Sequence, residues 1–141
     1  MKGNTAISEI MSTDIVSVNP DDTIEIVRGK IADNQIHHIP VVEGNKVVGM
    51  ISLSDIHKME HHFTQFNNPE AEASNTQLFS TMLAKEIMTT PVVKVIESQT
   101  VRSAVDIFLN NKFHALPVVN QADELVGMVT TFDIIRNSLE K

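Results

Sequence analysis

The sequence predicts a mixed α/β fold made of two β-α-β-β-α repeats. The chain has 141 residues, of which 42% are hydrophobic, and a chain of this length buries enough surface to fold without disulfide bonds. Its second half repeats the pattern of its first half. Within each half, short runs rich in β-branched residues alternate with segments whose apolar residues recur at helical spacing. Together these observations favour a pair of small domains with mixed secondary structure.

The internal repeat is visible when the sequence is aligned with itself. At an offset of 77 residues, the Pro-Val-Val at 40–42 falls on the Pro-Val-Val at 117–119. One additional residue in the second copy then changes the offset to 78, and the Val-Gly-Met at 48–50 falls on 126–128. An ordered series of matches with a single one-residue shift indicates two copies of one structural unit.

Each copy opens with a predicted strand, because residues 15–18 and 92–95 are short apolar runs with β-branched side chains. An amphipathic helix follows in each copy. Asp22 and Glu25 have the spacing of a capping box at the start of the first helix. Thr100 is the expected N-cap of the second helix.

The ends and interiors of these two helices carry further signals. Asn34 and Asn111 fit the left-handed position that ends a helix. Gly29 lies inside the first helix, where glycine costs about 1 kcal/mol relative to alanine. The first helix is therefore expected to depend on tertiary packing.

A β-hairpin is predicted after each of these helices. Its strands are residues 39–42 and 46–51 in the first copy and residues 116–119 and 125–129 in the second. Turn-forming residues separate the two strands in each copy, and the second turn is one residue longer. A closing helix is expected directly after each hairpin.

The repeat boundaries divide the chain into two domains and a linker. We expect a first domain at residues 5–58, a polar linker at 59–76 and a second domain at 77–138. A structureless segment as long as this linker is uncommon inside a compact domain, so we expect it to be exposed. A helix over residues 76–88 is predicted by four apolar side chains at helical spacing, Leu78, Phe79, Met82 and Leu83.

Composition excludes several classes of function. The formal net charge is −7, from 18 acidic and 11 basic residues, so no basic surface is offered to nucleic acid. The chain lacks cysteine, which excludes disulfides and thiolate chemistry. No apolar run reaches the roughly 20 residues that span a membrane, and the first residues lack the apolar region of a signal peptide. The expected compartment is the cytoplasm.

The most specific constellation is the corner where each hairpin ends and the closing helix begins. Ser52, Ser54 and Asp55 form this corner in the first copy, and Thr130 and Asp133 form it in the second. The structural interpretation is a capping box that satisfies helix amides. The functional interpretation is a phosphate site at a helix N-terminus, with the carboxylate accepting hydrogen bonds from two ribose hydroxyls. Sequence spacing leaves both interpretations open.

Histidine recurs at the corner between the first helix and the hairpin. His37 and His38 occupy this corner in the first copy, and His114 occupies it in the second. A solvated loop histidine is the structural interpretation, whereas a partly protonated imidazole is also a donor for phosphate near neutral pH. Pro40 and Pro117, three residues after His37 and His114, are expected to lie on an apolar shelf for a purine ring.

A third histidine group lies beyond Asp55. His57 and His61 share one helix face, and His62 follows them. A solvated helix end is the favoured interpretation, because no nearby acidic residue has suitable geometry, and no metal ligand is assigned here. We find no nucleophile elbow, no Walker loop and no carboxylate pair with separable acid and base roles, so no enzymatic activity is expected.

Both copies resemble the cystathionine-β-synthase-type (CBS) domain. The resemblance rests on the His-His-Ile-Pro-Val-Val at 37–42 and the Gly-Met-Ile-Ser-Leu-Ser-Asp at 49–55, with their counterparts at 114–119 and 127–133. It implies a tandem module in which two repeats pack with pseudo-twofold symmetry and form two clefts. It also implies ligands that contain adenosine, namely AMP, ADP, ATP or S-adenosylmethionine, with no other cofactor required.

The resemblance implies a role for each matched residue. The ribose-binding aspartates are Asp55 and Asp133. The hydroxyls that contact ribose or phosphate are those of Ser52, Ser54 and Thr130. His37 and His38 match a basic pair near the phosphates. The residues that flank the base are Thr13, Ile15, Thr90 and Val92.

Two departures from the family pattern distinguish the second copy. Phe132 stands where the first copy has Ser54, and Ala115 stands where it has His38. One cleft is therefore expected to be weaker, selective for another ligand, or empty. The few basic residues near the motifs argue against tight pairing with a triphosphate, which a bound Mg²⁺ would offset.

We interpret the chain as a regulatory module that binds an adenosine-type ligand and passes the ligand state to a client protein. The family resemblance also implies a homodimer. The alternatives are a structural or dimerisation module that binds no nucleotide and, less favoured, a histidine-based metal sensor. The identity of the nucleotide and of the client protein is not determined by the sequence.

Overall fold

The computed structural model of the chain describes residues 2–64, 79–111 and 113–139. The chain divides into two units, each with its own buried core. Unit 1 combines Met1–Ile15 with Val93–Lys141, and unit 2 is Val16–Val92. The predicted mixture of helices and small sheets is confirmed. The greater part of the predicted linker, from 65 to 76, lies outside the described residues.

Helices and short strands follow one another along the chain. They are a 3-10 helix (Ile7–Glu9), α1 (Ile24–Asn34), β1 (His38–Glu43), β2 (Lys46–Ser52), α2 (Leu53–Thr64), α3 (Ala84–Ile87), β3 (Val95–Ile96), α4 (Val101–Asn111), β4 (Ala115–Val119), β5 (Leu125–Thr130) and α5 (Thr131–Ser138).

Unit 2 is built on the antiparallel hairpin of β1 and β2, as predicted. Gly44 lies at its tip with φ of +64°, a left-handed conformation that glycine adopts without steric cost. The strand predicted at 15–18 is absent. Only Val18 bonds to the hairpin, through a single bridge to Val41. The buried core of unit 2 consists of Val18, Val27, Ile31, Ile39, Val41, Ile51, Ile56 and Ala84.

Unit 1 contains a three-stranded sheet in the order β3-β4-β5. The hairpin of β4 and β5 is antiparallel, and β3 is a two-residue strand parallel to β4. The strand predicted at 92–95 is therefore shorter and begins later. The buried core of unit 1 consists of Ile7, Val95, Ala104, Phe108, Leu116, Val118 and Val129.

Threonine caps the first helix of both repeats. The side chain of Thr23 accepts a hydrogen bond from the amide of Ile26 at 3.3 Å, and Thr100 accepts one from Ser103 at 3.3 Å. The predicted capping box of Asp22 is wrong, because its carboxylate instead accepts from the amide of Asn19 at 2.8 Å. Helix α1 therefore begins one residue later than the box implied.

The left-handed residue at the end of α1 is Gln35, with φ of 53°. The expectation that Asn34 holds this position is wrong, since Asn34 is the last helical residue and its side chain donates to the carbonyl of Lys30. Asn111 behaves in the same way, because it ends α4 and donates to the carbonyl of Ile107. Both asparagines bond back into the preceding turn.

The first residues of each repeat pack in the unit that contains most of the other repeat. In unit 1, Ala6 forms a bridge to Thr100 and Ser12 forms one to Met128. In unit 2, Leu83 forms a bridge to Thr23 and Thr89 forms one to Met50. The compact units therefore differ from the order of the repeats along the chain.

The continuous helix predicted over 76–88 is wrong where the structure describes it. Leu83 is extended, with φ of −102° and ψ of 153°, and the helix α3 spans only Ala84–Ile87. The carbonyl of Met82 accepts from Ile24, and the amide of Ala84 donates to Asp22. Pairing with the start of α1 overrides the helical periodicity at this point.

Candidate ligand-binding corners

Each hairpin ends at a hydroxyl residue that caps the helix after it. In unit 2 the hydroxyl of Ser52 accepts from the amide of Asp55 at 3.0 Å, and the Asp55 carboxylate accepts from the amide of Ser52 at 3.3 Å. In unit 1 Thr130 accepts from Asp133 at 3.1 Å, and Asp133 accepts from Thr130 at 2.9 Å. The capping-box interpretation is confirmed in both copies.

The first helix amides of these corners also bond within the chain. The amide of Leu53 donates to the carbonyl of His37 at 2.8 Å, and the amide of Thr131 donates to the carbonyl of His114 at 3.0 Å. In unit 2 the amides of Ser52, Leu53 and Asp55 are thus all used. Two of the first three helix amides, those of Leu53 and Asp55, are therefore bonded within the chain and are not available to a phosphate.

These carbonyl bonds place the histidine corner beside the helix start in each unit. His37 and His114 are exposed, whereas His38 is half-buried. Ser52, Asp55 and Thr130 are half-buried, and Ser54 is exposed. The backbone therefore brings the histidine corner next to the helix start in the first copy, and the polar residues predicted there are at least partly exposed.

Pro40 and Pro117 are buried inside β1 and β4. The carbonyl of Pro40 accepts from the amide of Val18 at 3.1 Å, and Pro40 lies opposite Met50 in the hairpin. Both prolines thus pack within their own units, and their place beside a purine ring stays a prediction.

The exchanged leading segments place the remaining predicted residues in the same compact units as the two aspartates. Thr90 and Val92 lie in unit 2, the unit of Asp55, and Thr13 and Ile15 lie in unit 1, the unit of Asp133. Both threonines are exposed, and Ile15 and Val92 are half-buried. Thr89 bonds to Met50 through both backbone groups, two residues before the Ser52 cap.

The sequence analysis assigned no role to two strand glycines, Gly49 and Gly127, that allow the leading segments to pack closely against the hairpins. A Cβ atom at Gly49 would overlap the side chain of Met88. A Cβ atom at Gly127 would lie 2.6 Å from the Sδ of Met11 and 2.9 Å from the carbonyl oxygen of Ser12. The recurrence of Val-Gly-Met in both copies was the available signal, because a strand glycine often marks a close backbone approach.

The other histidines form no metal centre in the part of the chain that is described. His57 and His61 are exposed on α2, and the side chain of His62 lies outside the described residues. Within residues 2–64, 79–111 and 113–139, no group of three or more histidine, aspartate or glutamate side chains has metal-binding geometry. Glu60 forms an ion pair with Arg28 at 3.2 Å.

The duplicated corner is matched by one family of domains. The sequence model of the CBS domain matches the chain twice, at residues 7–62 and 84–140. The chain belongs to the CBS domain family. Both CBS repeats contain the hairpin, the capped corner and the closing helix described above.

Curated relatives of this CBS pair are longer proteins. The inosine-5'-monophosphate dehydrogenase of Korarchaeum cryptofilum is 29% identical over 121 residues, which cover 86% of this chain and 22% of the enzyme. The chain spans 22%, 44% and 47% of the lengths of the first three curated relatives.

Solved CBS structures match almost the whole chain. Protein MJ1225 from Methanocaldococcus jannaschii has a TM-score of 0.84 at 23% identity, covering 98% of this chain and 49% of that one. The CBS domain pair of protein MJ0100, in complex with 5-methylthioadenosine and S-adenosyl-L-methionine, has a TM-score of 0.74 at 26% identity and covers 94% of each chain. The predicted tandem CBS architecture is thus confirmed.

No helix among the described residues of this CBS pair has both the length and the apolar character needed to cross a membrane.

Proposed function

We propose that the chain is a regulatory CBS module that binds an adenosine-type ligand at its capped corners. The observation that carries the proposal is the likeness to the MJ0100 pair, which is matched over 94% of both chains and binds 5-methylthioadenosine and S-adenosyl-L-methionine. The proposed ligands are AMP, ADP, ATP and S-adenosylmethionine. The proposal includes no catalytic step.

The corner chemistry suits a nucleoside better than a bare phosphate. A carboxylate offers about four lone-pair sites, so an aspartate that accepts one capping bond retains capacity for the two hydroxyls of a ribose. The backbone amides of the corner are largely used, and phosphate recognition is therefore assigned to side chains. Ser54, His37 and His38 supply these donors in unit 2.

Thermal unfolding with AMP, ATP or S-adenosylmethionine tests the proposal. A ligand present at 100 times its Kd stabilises the native state by about 2.7 kcal/mol, and each kcal/mol raises Tm by about 2–6 °C for a chain of this size. 2′,3′-Dideoxyadenosine monophosphate is the matched control, because it retains the base and phosphate but lacks both hydroxyls. A flat Tm with every adenosine compound contradicts the proposal.

We further propose that ligand binding changes the dynamics of surfaces that a client protein contacts. Hydrogen exchange of the chain with and without AMP tests this step, since a transmitted change must extend beyond the ligand corner. Protection confined to residues at the corner would show binding without transmission.

A second candidate, an interaction module that needs no nucleotide, is favoured by one surface. Phe132 and Ile135 on α5 and Leu139 at its C-cap are 61%, 59% and 82% exposed, and they follow one another at helical spacing. The corresponding residues of the first repeat are Ser54, His57 and His61. We propose that this apolar face pairs with the same face of a second copy.

Sedimentation tests the proposed homodimer. Replacing the apolar face with the residues of the first repeat, Phe132→Ser and Ile135→His, is expected to shift the chain from dimer to monomer. The same double change leaves the core of unit 1 intact, because both side chains are exposed. A monomeric wild-type chain contradicts this candidate.

A further inference from the structure

Two methionines at equivalent positions of the repeats pack the leading segments onto the hairpins. Met11 and Met88 are separated by 77 residues, which is the offset of the internal repeat. The Sδ atom of Met88 occupies the space beside Gly49 that a side chain would fill, and the Sδ atom of Met11 does the same beside Gly127. The same contact is thus built twice, once in each unit.

Each thioether also packs against the hydrophobic core of its own unit. Met88 packs against the core of unit 2, and Met11 packs against the core of unit 1. Gly49 and Gly127 are buried positions of β2 and β5. Both methionines are nevertheless half-buried. A small oxidant in solution therefore reaches side chains whose sulfur atoms lie directly on the backbone of a strand.

The residue after each methionine carries backbone bonds that fix the segment to the hairpin. Thr89 donates to Met50 at 2.8 Å and accepts from it at 3.3 Å. Ser12 donates to Met128 at 2.8 Å and accepts from it at 2.9 Å. These bonds require the close approach that each thioether makes to its glycine. The amides of Thr89 and Ser12 therefore report whether each segment is in place.

We propose that Met11 and Met88 are oxidation sites, and that their conversion to methionine sulfoxide by a peroxide releases the leading segments. The thioether sulfur attacks one oxygen of hydrogen peroxide, so that an S–O bond forms, the O–O bond breaks and the sulfur loses two electrons. The other oxygen leaves as hydroxide and takes the proton of the new S–OH group, which gives water.

The chemical change at sulfur opposes the packing that holds each segment. A sulfoxide is polar and chiral, whereas the thioether is apolar and flexible. A polar S=O group is unfavourable against an apolar core that offers it no hydrogen bond. Outward movement of the segment exposes this group to water, and the backbone bonds at Thr89 or Ser12 are then lost.

Methionine sulfoxide reductases reverse the modification. Two thiols are oxidised to a disulfide, the sulfoxide oxygen leaves as water, and the thioether is regenerated. Each leading segment is then expected to return to its hairpin. The inference is independent of the proposed function, because no adenosine ligand takes part in it.

Peroxide treatment of the full chain tests the proposal by peptide mass spectrometry and NMR hydrogen exchange. We expect sulfoxides at Met11 and Met88, and about tenfold faster exchange of the Thr89 and Ser12 amides. Reduction by methionine sulfoxide reductase with dithiothreitol is expected to restore the slow exchange. Sulfoxides at both positions without faster exchange, or exchange that stays fast after reduction, overturn the proposal.

Leucine variants separate the two units, because leucine has nearly the volume of methionine but no sulfur. Under peroxide, Met88→Leu is expected to keep Thr89 exchange slow while Ser12 still responds, and Met11→Leu is expected to do the reverse. Met59→Leu removes a half-buried methionine of α2 and is the matched control, with the response of the wild-type chain. A response at Thr89 that persists in Met88→Leu overturns the proposal.

The wild-type chain gives a second measurement that does not depend on the folding of a variant. During the peroxide reaction, the fraction of chains with fast Thr89 exchange is expected to follow the fraction of Met88 sulfoxide. Ser12 exchange is expected to follow Met11 sulfoxide in the same way. Fast exchange that precedes sulfoxide formation overturns the proposal, as does a folded chain in which Met59 is oxidised while Met11 and Met88 stay reduced.

Discussion

Met88 packs against Gly49 so closely that no Cβ atom fits at position 49. The contact joins a residue near the start of the second CBS repeat to a hairpin strand of the first. Directly beside it, Met50 and Thr89 exchange backbone hydrogen bonds at 3.3 and 2.8 Å. Met11 and Gly127 have the same relationship in unit 1. The two glycines therefore allow the exchange of leading segments.

Gly49→Ala is expected to lower the free energy of unfolding by about 1–3 kcal/mol, the usual cost of overpacking a tight contact. Denaturant unfolding measures this change. Gly127→Ala is expected to cost at least as much, because its Cβ also meets the backbone oxygen of Ser12 at 2.9 Å, which cannot rotate away as a side chain can. Wild-type stability in both variants would show that the segments move apart readily.

Gly29→Ala is the opposite case. Gly29 lies inside α1, and beyond the adjoining residues and backbone of its own helix no heavy atom lies within 4 Å of an added Cβ. Alanine reduces the backbone entropy lost on folding, so we expect a gain of about 0.5–1 kcal/mol in unfolding free energy. The same denaturant experiment measures it. A loss of stability would mean that α1 needs its glycine for another reason.

Ile7→Ala is expected to destabilise unit 1, although Ile7 lies at the start of the first repeat. Its side chain is fully buried among core residues of the second repeat, and truncation of a buried isoleucine costs about 2–5 kcal/mol. Hydrogen exchange locates the effect. We expect faster exchange in β4 and β5, and faster exchange confined to β1 and β2 would contradict the exchanged packing.

Asp21 raises the pKa of Lys85 above its ordinary value, through a hydrogen bond and its negative charge. The two groups lie 3.0 Å apart at the surface. Because the raised pKa belongs to the folded state, the pair contributes stability below the ordinary lysine pKa and loses it as the pH rises through the raised value. NMR titration of Asp21→Asn is expected to show the Lys85 pKa falling toward its ordinary value; an unchanged pKa would assign the shift to other groups.

Local sequence patterns correctly predicted the elements that are specified by residues close together in the sequence. The hairpins followed from paired β-branched runs around turn residues, and the caps at Ser52 and Thr130 followed from hydroxyl and acidic residues three positions apart. The helix over 76–88 was wrong because Leu83 pairs with Thr23. The helical spacing of apolar residues carries no information about such a long-range backbone pairing.

The sequence by itself determined the repeat, the order of hairpin and closing helix, and membership of the CBS domain family. These depend on short-range periodicity and on motifs that occur twice. Only the tertiary structure decided which leading segment packs in which unit, because strand partners distant in sequence are selected by burial and backbone pairing. It also decided that Asp133 is buried beside Arg136 while Asp55 is not, since burial depends on neighbours that the spacing of a motif does not specify.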